Sequence, residues 1–231
     1  MRIGIVADVH CNAEGLRIAL EGMRDVDELL CAGDAVYQFR FSNDVMALLR
    51  ERNARYILGN HEEVLLSRWG ESARNAPGVR QDEVAYMAGR DRVLETVVDG
   101  KRLVMVHGSP WEPHNEYIYP NSPSISRFAE IDADYVILGH THYQMAERVG
   151  RPLVINPGSA GEARDPRNHL QLSYAVLDTA SGEVTFTNFA DPTRAAVDPA
   201  IIPGGLGAPQ RRLAHRDEHV AGNPNFWRPD A

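Results

Sequence analysis

The chain has 231 residues, of which 43% are hydrophobic and 24% are charged, and its formal net charge is −8. These values are typical of a globular protein and exclude collagen-like, coiled-coil and largely disordered chains. The acidic balance also argues against broad binding to nucleic acids or to anionic membranes. No apolar run is long enough to span a bilayer, and two cysteines are too few for a disulfide framework, so we expect a cytoplasmic protein.

The first 60 residues alternate between predicted strands and predicted helices. Continuous apolar runs predict strands at residues 3–7, 29–32 and 56–58. The helical spacing of apolar residues predicts a helix between each pair of strands, the first with Asn12 as its N-cap and the second with Ser42. This β-α-β-α-β order predicts a parallel sheet.

After residue 90 the pattern becomes rich in hairpins. Strands are predicted at residues 93–98, 102–107, 135–138, 153–155, 170–177 and 184–189. The first two flank Asp99-Gly100 and the last two flank Ser181-Gly182, and both dipeptides are turn signals. We therefore predict an α/β fold of two packed sheets with helices outside, in one domain over residues 1–190.

The segment 191–231 is rich in proline and glycine and has no helical or strand period. Two interpretations stay open for this predicted C-terminal extension. It is an extended segment that lies over the domain or reaches a partner subunit of a homo-oligomer, or it is a partly mobile tail.

Side chains able to bind metals follow the predicted strands, at the points where the strands end. They are Asp8, His10, Asp34, Asn60, His61, His107, His140 and His142. Ligands bind at the carboxyl ends of strands in open α/β sheets, so we expect these side chains to converge on one site. In extended backbone, residues i and i+2 point the same way, which lets Asp8 and His10 share one ion. A glycine before Asp34, Asn60 and His140 lets the chain turn sharply off its strand.

The types and the number of these ligands indicate two metal ions. Mixed oxygen and imidazole ligands suit Mn, Fe, Zn, Co or Ni, whereas oxygen ligands alone suit Mg or Ca. A single ion would leave about half of the candidate ligands unused. Asp8 and Asp34 are the acidic members, so two divalent ions with a bridging hydroxide keep a net positive charge that attracts phosphate.

Five motifs, in their order along the chain, resemble the calcineurin-like metallophosphoesterase superfamily. They are Asp8-Val9-His10, Gly33-Asp34, Gly59-Asn60-His61-Glu62, His107-Gly108 and Gly139-His140-Thr141-His142. Further segments are similar to small bacterial phosphodiesterase-type members of that superfamily. These segments begin at His107 (His-Gly-Ser-Pro), Asn115 (Asn-Glu-Tyr-Ile-Tyr), Asn156 (Asn-Pro-Gly-Ser) and Ser173 (Ser-Tyr-Ala-Val-Leu-Asp). The resemblance runs from Arg2 to about Asp178.

The resemblance implies a four-layer α/β/β/α sandwich of two mixed β-sheets flanked by helices. It implies that Asp34 bridges two metals, one held also by Asp8, His10 and His142 and the other also by Asn60, His107 and His140. His61 matches the family's proton-donating or phosphate-binding histidine, and Glu62, where many relatives have aspartate, is a possible orienting partner for it. Cys11 replaces a common glycine, and it either fills that position as a small residue or offers a thiolate to the metal.

We therefore predict a dinuclear phosphoesterase that hydrolyses phosphodiesters or nucleotide-like substrates by a metal-activated hydroxide, with manganese favoured and with Asp34 and His61 as catalytic residues. A phosphomonoesterase or a Ser/Thr protein phosphatase on the same scaffold is the alternative. The Asp-Arg-Gly continuation of the phosphoprotein phosphatases is missing after Asp34, which argues against phosphoprotein substrates. A non-catalytic scaffold protein is disfavoured because every ligand position is filled.

Two further features near the predicted site have open interpretations. Arg164 binds substrate phosphate or forms a surface ion pair. Aromatic side chains after Asp34 and His107 stack on a nucleobase or another ring, or else pack long loops. They are Tyr37, Phe39, Trp111, Tyr117 and Tyr119.

Overall fold

The computed structural model of the chain describes residues 1–194. Within this part of the chain, ten strands form two five-stranded mixed sheets. The predicted extension over residues 191–231 lies outside the described residues from residue 195 onward. A search of the described helices finds none that combines the length and the apolar character needed to cross a lipid bilayer.

The first sheet has the strand order β10-β9-β1-β2-β3. Its strands are β1 (Arg2–Val6), β2 (Glu28–Cys31), β3 (Arg55–Tyr56), β9 (Leu172–Asp178) and β10 (Glu183–Phe189). β1, β2 and β3 are parallel, as the β-α-β-α-β pattern predicts, whereas β9 runs antiparallel to β1 and to β10. In this register Ile5 of β1 lies between Leu30 and Ala175.

The second sheet has the strand order β4-β5-β6-β8-β7. Its strands are β4 (Val93–Val98), β5 (Lys101–Val106), β6 (Tyr135–Ile137), β7 (Gln144–Arg148) and β8 (Leu153–Pro157). The predicted hairpin between β4 and β5 is confirmed, with φ of 50° at Asp99 and 74° at Gly100. β7 was not predicted because Met145 is its one buried side chain, so an apolar run is lacking.

Five α-helices and three 3-10 helices connect the strands of the described residues. The α-helices are α1 (Ala13–Gly22), α2 (Asn43–Glu51), α3 (Asn60–Leu66), α4 (Glu71–Arg74) and α5 (Gln81–Ala88), and the 3-10 helices are Arg68–Gly70, Pro123–Glu130 and Pro166–Asn168. Both predicted caps are confirmed. Asn12 Oδ1 accepts a hydrogen bond from the Gly15 amide at 2.9 Å, and Ser42 Oγ accepts one from the Val45 amide at 3.3 Å.

Three clusters of buried apolar side chains confirm the four-layer sandwich. One lies between the first sheet and the helices and includes Leu16 of α1 and Leu49 of α2. A second lies between the two sheets and includes Ile5 and Ile137. The third covers the outer face of the second sheet with Phe128 of the 3-10 helix. β1 is therefore covered on both faces, which explains its continuous apolar run.

The layer between the sheets generates a stability prediction. Ile5 has no exposed surface there, so Ile5→Ala removes buried methylenes and leaves a cavity. We expect the free energy of unfolding to fall by about 2–5 kcal/mol in urea denaturation. The control is Val97→Ala in β4, where the side chain is 63% exposed and the expected change is within about 0.5 kcal/mol. Equal losses in both variants would contradict this packing.

Candidate metal centre

Parallel pairing continues beyond the ends of β1 and β2 and brings their polar residues together. The amide of Asp8 donates to the carbonyl of Gly33 at 3.0 Å, and the amide of His10 donates to that of Asp34 at 3.0 Å. The backbone here is not extended, because φ is 53° at Asp8, 48° at His10 and 53° at Asp34. The prediction from i and i+2 spacing was therefore wrong about the backbone, although Asp8 and His10 do lie near each other.

The same unusual backbone recurs on the other side of the centre. φ is 71° at His140 and 60° at His142, in the left-handed region that residues other than glycine rarely adopt. Each such residue costs of the order of 1–3 kcal/mol, and such residues persist where surrounding contacts determine the conformation. The candidate ligands are therefore held by the fold in directions that relaxed strand ends would not give.

Asp8, His10 and His142 form one compact group of buried side chains. His142 Nε2 lies 3.1 Å from His10 Nε2 and 3.4 Å from Asp8 Oδ1. The amide of His140 donates to Asp8 Oδ2 at 3.0 Å and holds this carboxylate in place. One ion placed among these atoms would receive a carboxylate and two imidazoles, a ligand set that suits transition metals.

A second group contains Asp34, Asn60, His107 and His140. His107 Nε2 lies 3.2 Å from Asp34 Oδ2 and 3.1 Å from Asn60 Oδ1. Asp34, His107 and His140 each have a ligand atom within 4.8 Å of those of the other two. Asp34 also forms such a group with His10 and His61, so its carboxylate faces both sides of the centre. The structure thus brings all seven predicted ligands together.

Backbone carbonyls orient two of the imidazoles. His107 Nδ1 donates to the carbonyl oxygen of Ala32 at 2.7 Å, and His142 Nδ1 donates to that of Glu162 at 2.6 Å. Each bond leaves Nε2 facing the centre, as in histidines that bind metals in proteins. The sequence analysis did not identify Glu162 as a partner of His142, because the contact uses the backbone carbonyl, which every residue has.

The charges of the centre favour a cation. Burial alone would raise the pKa of Asp34, but the charges of His107 and His61 and a hydrogen bond with His107 hold it well below its usual range. Burial opposes protonation of His107, yet the charge and hydrogen bond of Asp34 raise its pKa to about 10. The ionised carboxylate of Asp34 therefore attracts a positive charge to the centre.

Two other imidazoles are in the form that binds metals. Burial lowers the pKa of His10 and that of His140 to about 3, so both are neutral near pH 7. Within residues 1–194, the buried atoms His10 Nδ1 and His140 Nε2 have no hydrogen-bond partner. Neutral imidazoles with an unpartnered buried nitrogen, in groups that include Asp8 and Asp34, fit the metal-dependent chemistry expected of the site.

His61 lies at the edge of this centre, in the first turn of α3. Its amide donates to Asp34 Oδ1 at 2.9 Å, and its Nδ1 accepts from the Gln38 amide at 3.3 Å. The second bond places the ring proton on Nε2, which lies 3.8 Å from Asp34 Oδ2. The prediction that Glu62 orients His61 is wrong, because the amide of Gln38 does so.

Glu62 has a different and larger part in the structure. It is fully buried, and its Oε2 accepts hydrogen bonds from the amides of Asp34 at 2.9 Å and Gly59 at 2.8 Å. Its Oε1 accepts from the amide of Val36 at 3.1 Å. One carboxylate therefore joins the loop after β2 to the start of α3. The sequence contained a signal for this contact, since Glu62 stands at the third helical position, where a capping-box acid is found.

Two of the three glycines that precede candidate ligands are required because other atoms lie too close for a side chain, not because the backbone turns there. Gly33 has a φ of 90°, as expected for a sharp turn, but Gly59 and Gly139 do not have positive φ. A Cβ on Gly59 would lie 2.2 Å from Asp34 Oδ1, and one on Gly139 would lie 2.9 Å from the carbonyl of Ala32. Side chains at these two positions would displace the centre itself.

The remaining candidates lie around the mouth of the centre. Arg164 Nη2 is 3.1 Å from Glu162 Oε1, and the Tyr37 hydroxyl donates to Glu162 Oε2 at 2.6 Å. Arg164 thus forms an ion pair close to the centre, so its contact with substrate stays a prediction. Cys11 Sγ donates to the carbonyl of Arg40 at 3.2 Å and is absent from the candidate metal groups of the described chain, which favours the packing interpretation.

Comparison with known proteins finds relatives over most of the chain. A model of the calcineurin-like phosphoesterase superfamily domain matches residues 1–182. A phosphodiesterase of Methanocaldococcus jannaschii is 27% identical over 164 residues, covering 68% of this chain and 83% of that protein. A metallophosphoesterase from Sphaerobacter thermophilus has a TM-score of 0.67 at 26% identity, covering 83% of this chain and 89% of the other. A hypothetical protein from Pyrococcus horikoshii OT3 shares the fold, with a TM-score of 0.69 at 17% identity and the same two coverages.

The contacts of Glu62 generate a prediction for Glu62→Gln. The glutamine side chain keeps the shape of glutamate. However, its NH2 group cannot accept a hydrogen bond, and it would face a backbone N–H group that donates to the carboxylate in the original protein. Hydrogen bonds to a charged group are worth about 1.5–3 kcal/mol, and burial raises the pKa of Glu62 to about 7, so we expect the free energy of unfolding in urea to fall by about that amount above pH 7. Manganese affinity, measured by calorimetry, should fall about 10- to 100-fold because the ligands lose their support.

The matched control is Glu63→Gln, one residue further along α3. The Glu63 carboxylate pairs with Arg92 and does not accept from the ligand loops. We expect smaller changes in both measurements. A similar loss of manganese affinity in the two variants would contradict the role given to Glu62.

Proposed function

Because the chain belongs to the calcineurin-like phosphoesterase superfamily, we propose that it hydrolyses phosphodiesters or nucleotide-like phosphoesters with two divalent metal ions. The resemblance stated from the motifs is confirmed, and the chain is a metal-dependent hydrolase that acts on phosphoric esters. The position of Asp34 is the observation that carries the proposal of two ions. Its carboxylate belongs to one group with His107 and His140 and to another with His10 and His61.

We assign the ligands of the two ions from these groups. Asp8, His10 and His142 would hold one ion, and Asn60, His107 and His140 would hold the other, with Asp34 shared. When bound, the ions supply charge neutralisation for the phosphate and lower the pKa of water for attack on phosphorus. Manganese is the preferred ion in this proposal, because imidazole and carboxylate together suit it better than they suit magnesium.

His61 supplies the proton in the proposed reaction. Its Nδ1 accepts from the Gln38 amide, so the ring holds its proton at Nε2 on the side of Asp34. From there Nε2–H can donate a hydrogen bond to the charged phosphate. To protonate the departing ester oxygen, His61 must first gain a proton at Nδ1, which releases the hydrogen bond from the Gln38 amide. His61 also satisfies the geometry of a metal ligand together with His10 and Asp34, and metal content distinguishes the two roles.

The proposed substrates are small esters. The segment after Asp34 lacks Asp-Arg-Gly, and one relative is named a phosphodiesterase, which supports diesters over phosphoproteins. The presence and convergence of every candidate ligand supports an enzyme over a non-catalytic scaffold. A panel of phosphodiesters, phosphomonoesters and phosphopeptides tests this choice.

Cys11 and Cys31 are both unpaired, which supports a reducing compartment such as the cytoplasm.

The shared carboxylate generates a prediction about metal content. Elemental analysis after reconstitution with manganese should give two ions per chain, and chelation should abolish an activity that manganese restores at least as well as magnesium. Asp34→Asn should weaken both sites and lower activity by about 10²-fold or more, whereas His10→Ala should mainly affect one. Two tightly bound ions and near-normal turnover in Asp34→Asn would show that Asp34 does not bridge.

The position of His61 generates a prediction about leaving groups. An alkoxide is a poor leaving group and needs a proton, whereas a nitrophenolate scarcely does. His61→Ala should therefore lose about 10²- to 10⁴-fold in rate on alkyl or nucleotide esters and much less on nitrophenyl esters. Manganese content should be unchanged. His169→Ala, at an exposed turn, is the control and should alter neither rate.

Two outcomes would change the assignment of His61. Equal losses on both kinds of ester would make it a group that stabilises phosphate charge. The loss of one ion from the variant would make it a ligand, and the assignment of the ligands would then be wrong.

A further inference from the structure

Two partly exposed tyrosines of the loop after β5 lie beside the metal centre. Tyr117 is 47% exposed and Tyr119 is 41% exposed. The Tyr117 ring stacks on the ring of His140, with centroids 3.7 Å apart and planes 29° apart. The Tyr119 ring is parallel to that of Tyr117 within 13°, with centroids 6.4 Å apart. Flat aromatic surface therefore continues outward from a candidate metal ligand.

The outward direction of both rings is fixed by the residue between them. Ile118 is 2% exposed and packs in the cluster on the outer face of the second sheet, with Phe128. The side chain of Ile118 is buried whereas those of Tyr117 and Tyr119 are partly exposed, so the two tyrosine side chains point away from this cluster. The two rings lie nearly parallel to each other, and we call this pair the tyrosine platform.

The tyrosine platform is built before any ligand arrives. The amide of Tyr119 donates to Ser122 Oγ at 2.8 Å, and Trp111 Nε1 donates to Glu116 Oε2 at 2.6 Å within the same loop. The ring of Tyr143, the residue after His142, meets the Tyr119 ring edge-on at 5.0 Å. Preformed contacts of this kind lower the ordering cost of binding.

Exposed aromatic faces next to a phosphoester site suit one kind of ligand. Every nucleobase has a flat face that stacks on an aromatic side chain, and each stack is worth about 1–3 kcal/mol. A phosphate at the centre would lie beside His140, on which Tyr117 stacks, so the platform is within reach of the other groups of the same ester. The net charge of −8 disfavours a long polyanion and favours a small nucleotide.

We propose that Tyr117 and Tyr119 form a stacking platform for the base of a nucleotide ester whose phosphate lies on the metal centre. This inference rests on the proposed function, because it needs phosphate at that centre. It makes the platform the part of the protein that selects nucleotide esters over esters that lack a flat ring.

The test compares two ligands that differ in the base. Adenosine 5′-monophosphate and ribose 5-phosphate share a sugar and a phosphate, and their affinities for the manganese-loaded protein are measured by calorimetry. The nucleotide should bind roughly 5- to 150-fold tighter than the sugar phosphate, the range expected for one stacked base. Tyr119→Ala should remove most of that difference and leave the affinity for ribose 5-phosphate within about twofold.

The variants are chosen so that damage to the centre is visible. Tyr117→Ala should act like Tyr119→Ala. The Tyr119→Ala result is the decisive one, because the Tyr117 ring stacks on the candidate ligand His140 and its loss could disturb the centre. Tyr119→Phe keeps the flat face and should keep the preference for the nucleotide. Trp69→Ala removes another exposed aromatic, on the 3-10 helix Arg68–Gly70, and should change neither affinity. Manganese content is measured in every variant.

The outcomes separate the platform from the proposed function. If the nucleotide binds no tighter than ribose 5-phosphate, or if Tyr119→Ala weakens both equally, the platform is overturned even when the protein hydrolyses diesters. If the nucleotide preference depends on Tyr119 but no phosphoester is cleaved, the platform stands and the proposed hydrolysis is overturned.

Discussion

The buried carboxylate of Glu62 is the contact on which the metal centre depends most. It accepts three backbone hydrogen bonds, two from the loop after β2 and one from the start of α3. Asp34 and Asn60 stand on those two segments, so a single side chain sets the distance between them. A buried carboxylate is costly: burial and the charge of Asp34 raise the pKa of Glu62 to about 7, and the hydrogen bonds from the Val36 and Gly59 amides offset part of this rise.

The candidate metal centre combines strained backbone with buried acidic side chains. Several candidate ligands have left-handed backbone, and Asp8 and Asp34 are buried side by side with charges that repel each other. Burial, together with the charge of Asp34, raises the pKa of Asp8, whereas the contact with His107 lowers that of Asp34. A divalent cation would relieve this repulsion, so metal binding and the stability of the fold should be coupled.

The surroundings of the centre divide into rigid support and an open face. Carbonyls of Ala32 and Glu162 hold the Nδ1 atoms of His107 and His142. The tyrosine platform stands beside His140, and Ile118 anchors its loop to the apolar cluster on the outer face of the second sheet. In the proposed function, the side chains that follow the strands would bind the ions, and the loop after β5 would select the ester groups beside them.

Local sequence determined the features that local forces produce. The caps Asn12 and Ser42 and the Asp99-Gly100 turn were predicted because each depends on neighbours in the chain, and the candidate metal ligands were recognised from their positions after predicted strands. Tertiary structure alone decided the positive φ of Asp8 and His142, the carbonyl partner of His142 and the edge strand β7. These features depend on hydrogen bonds and packing between segments far apart in the chain, and no periodicity within either segment records them.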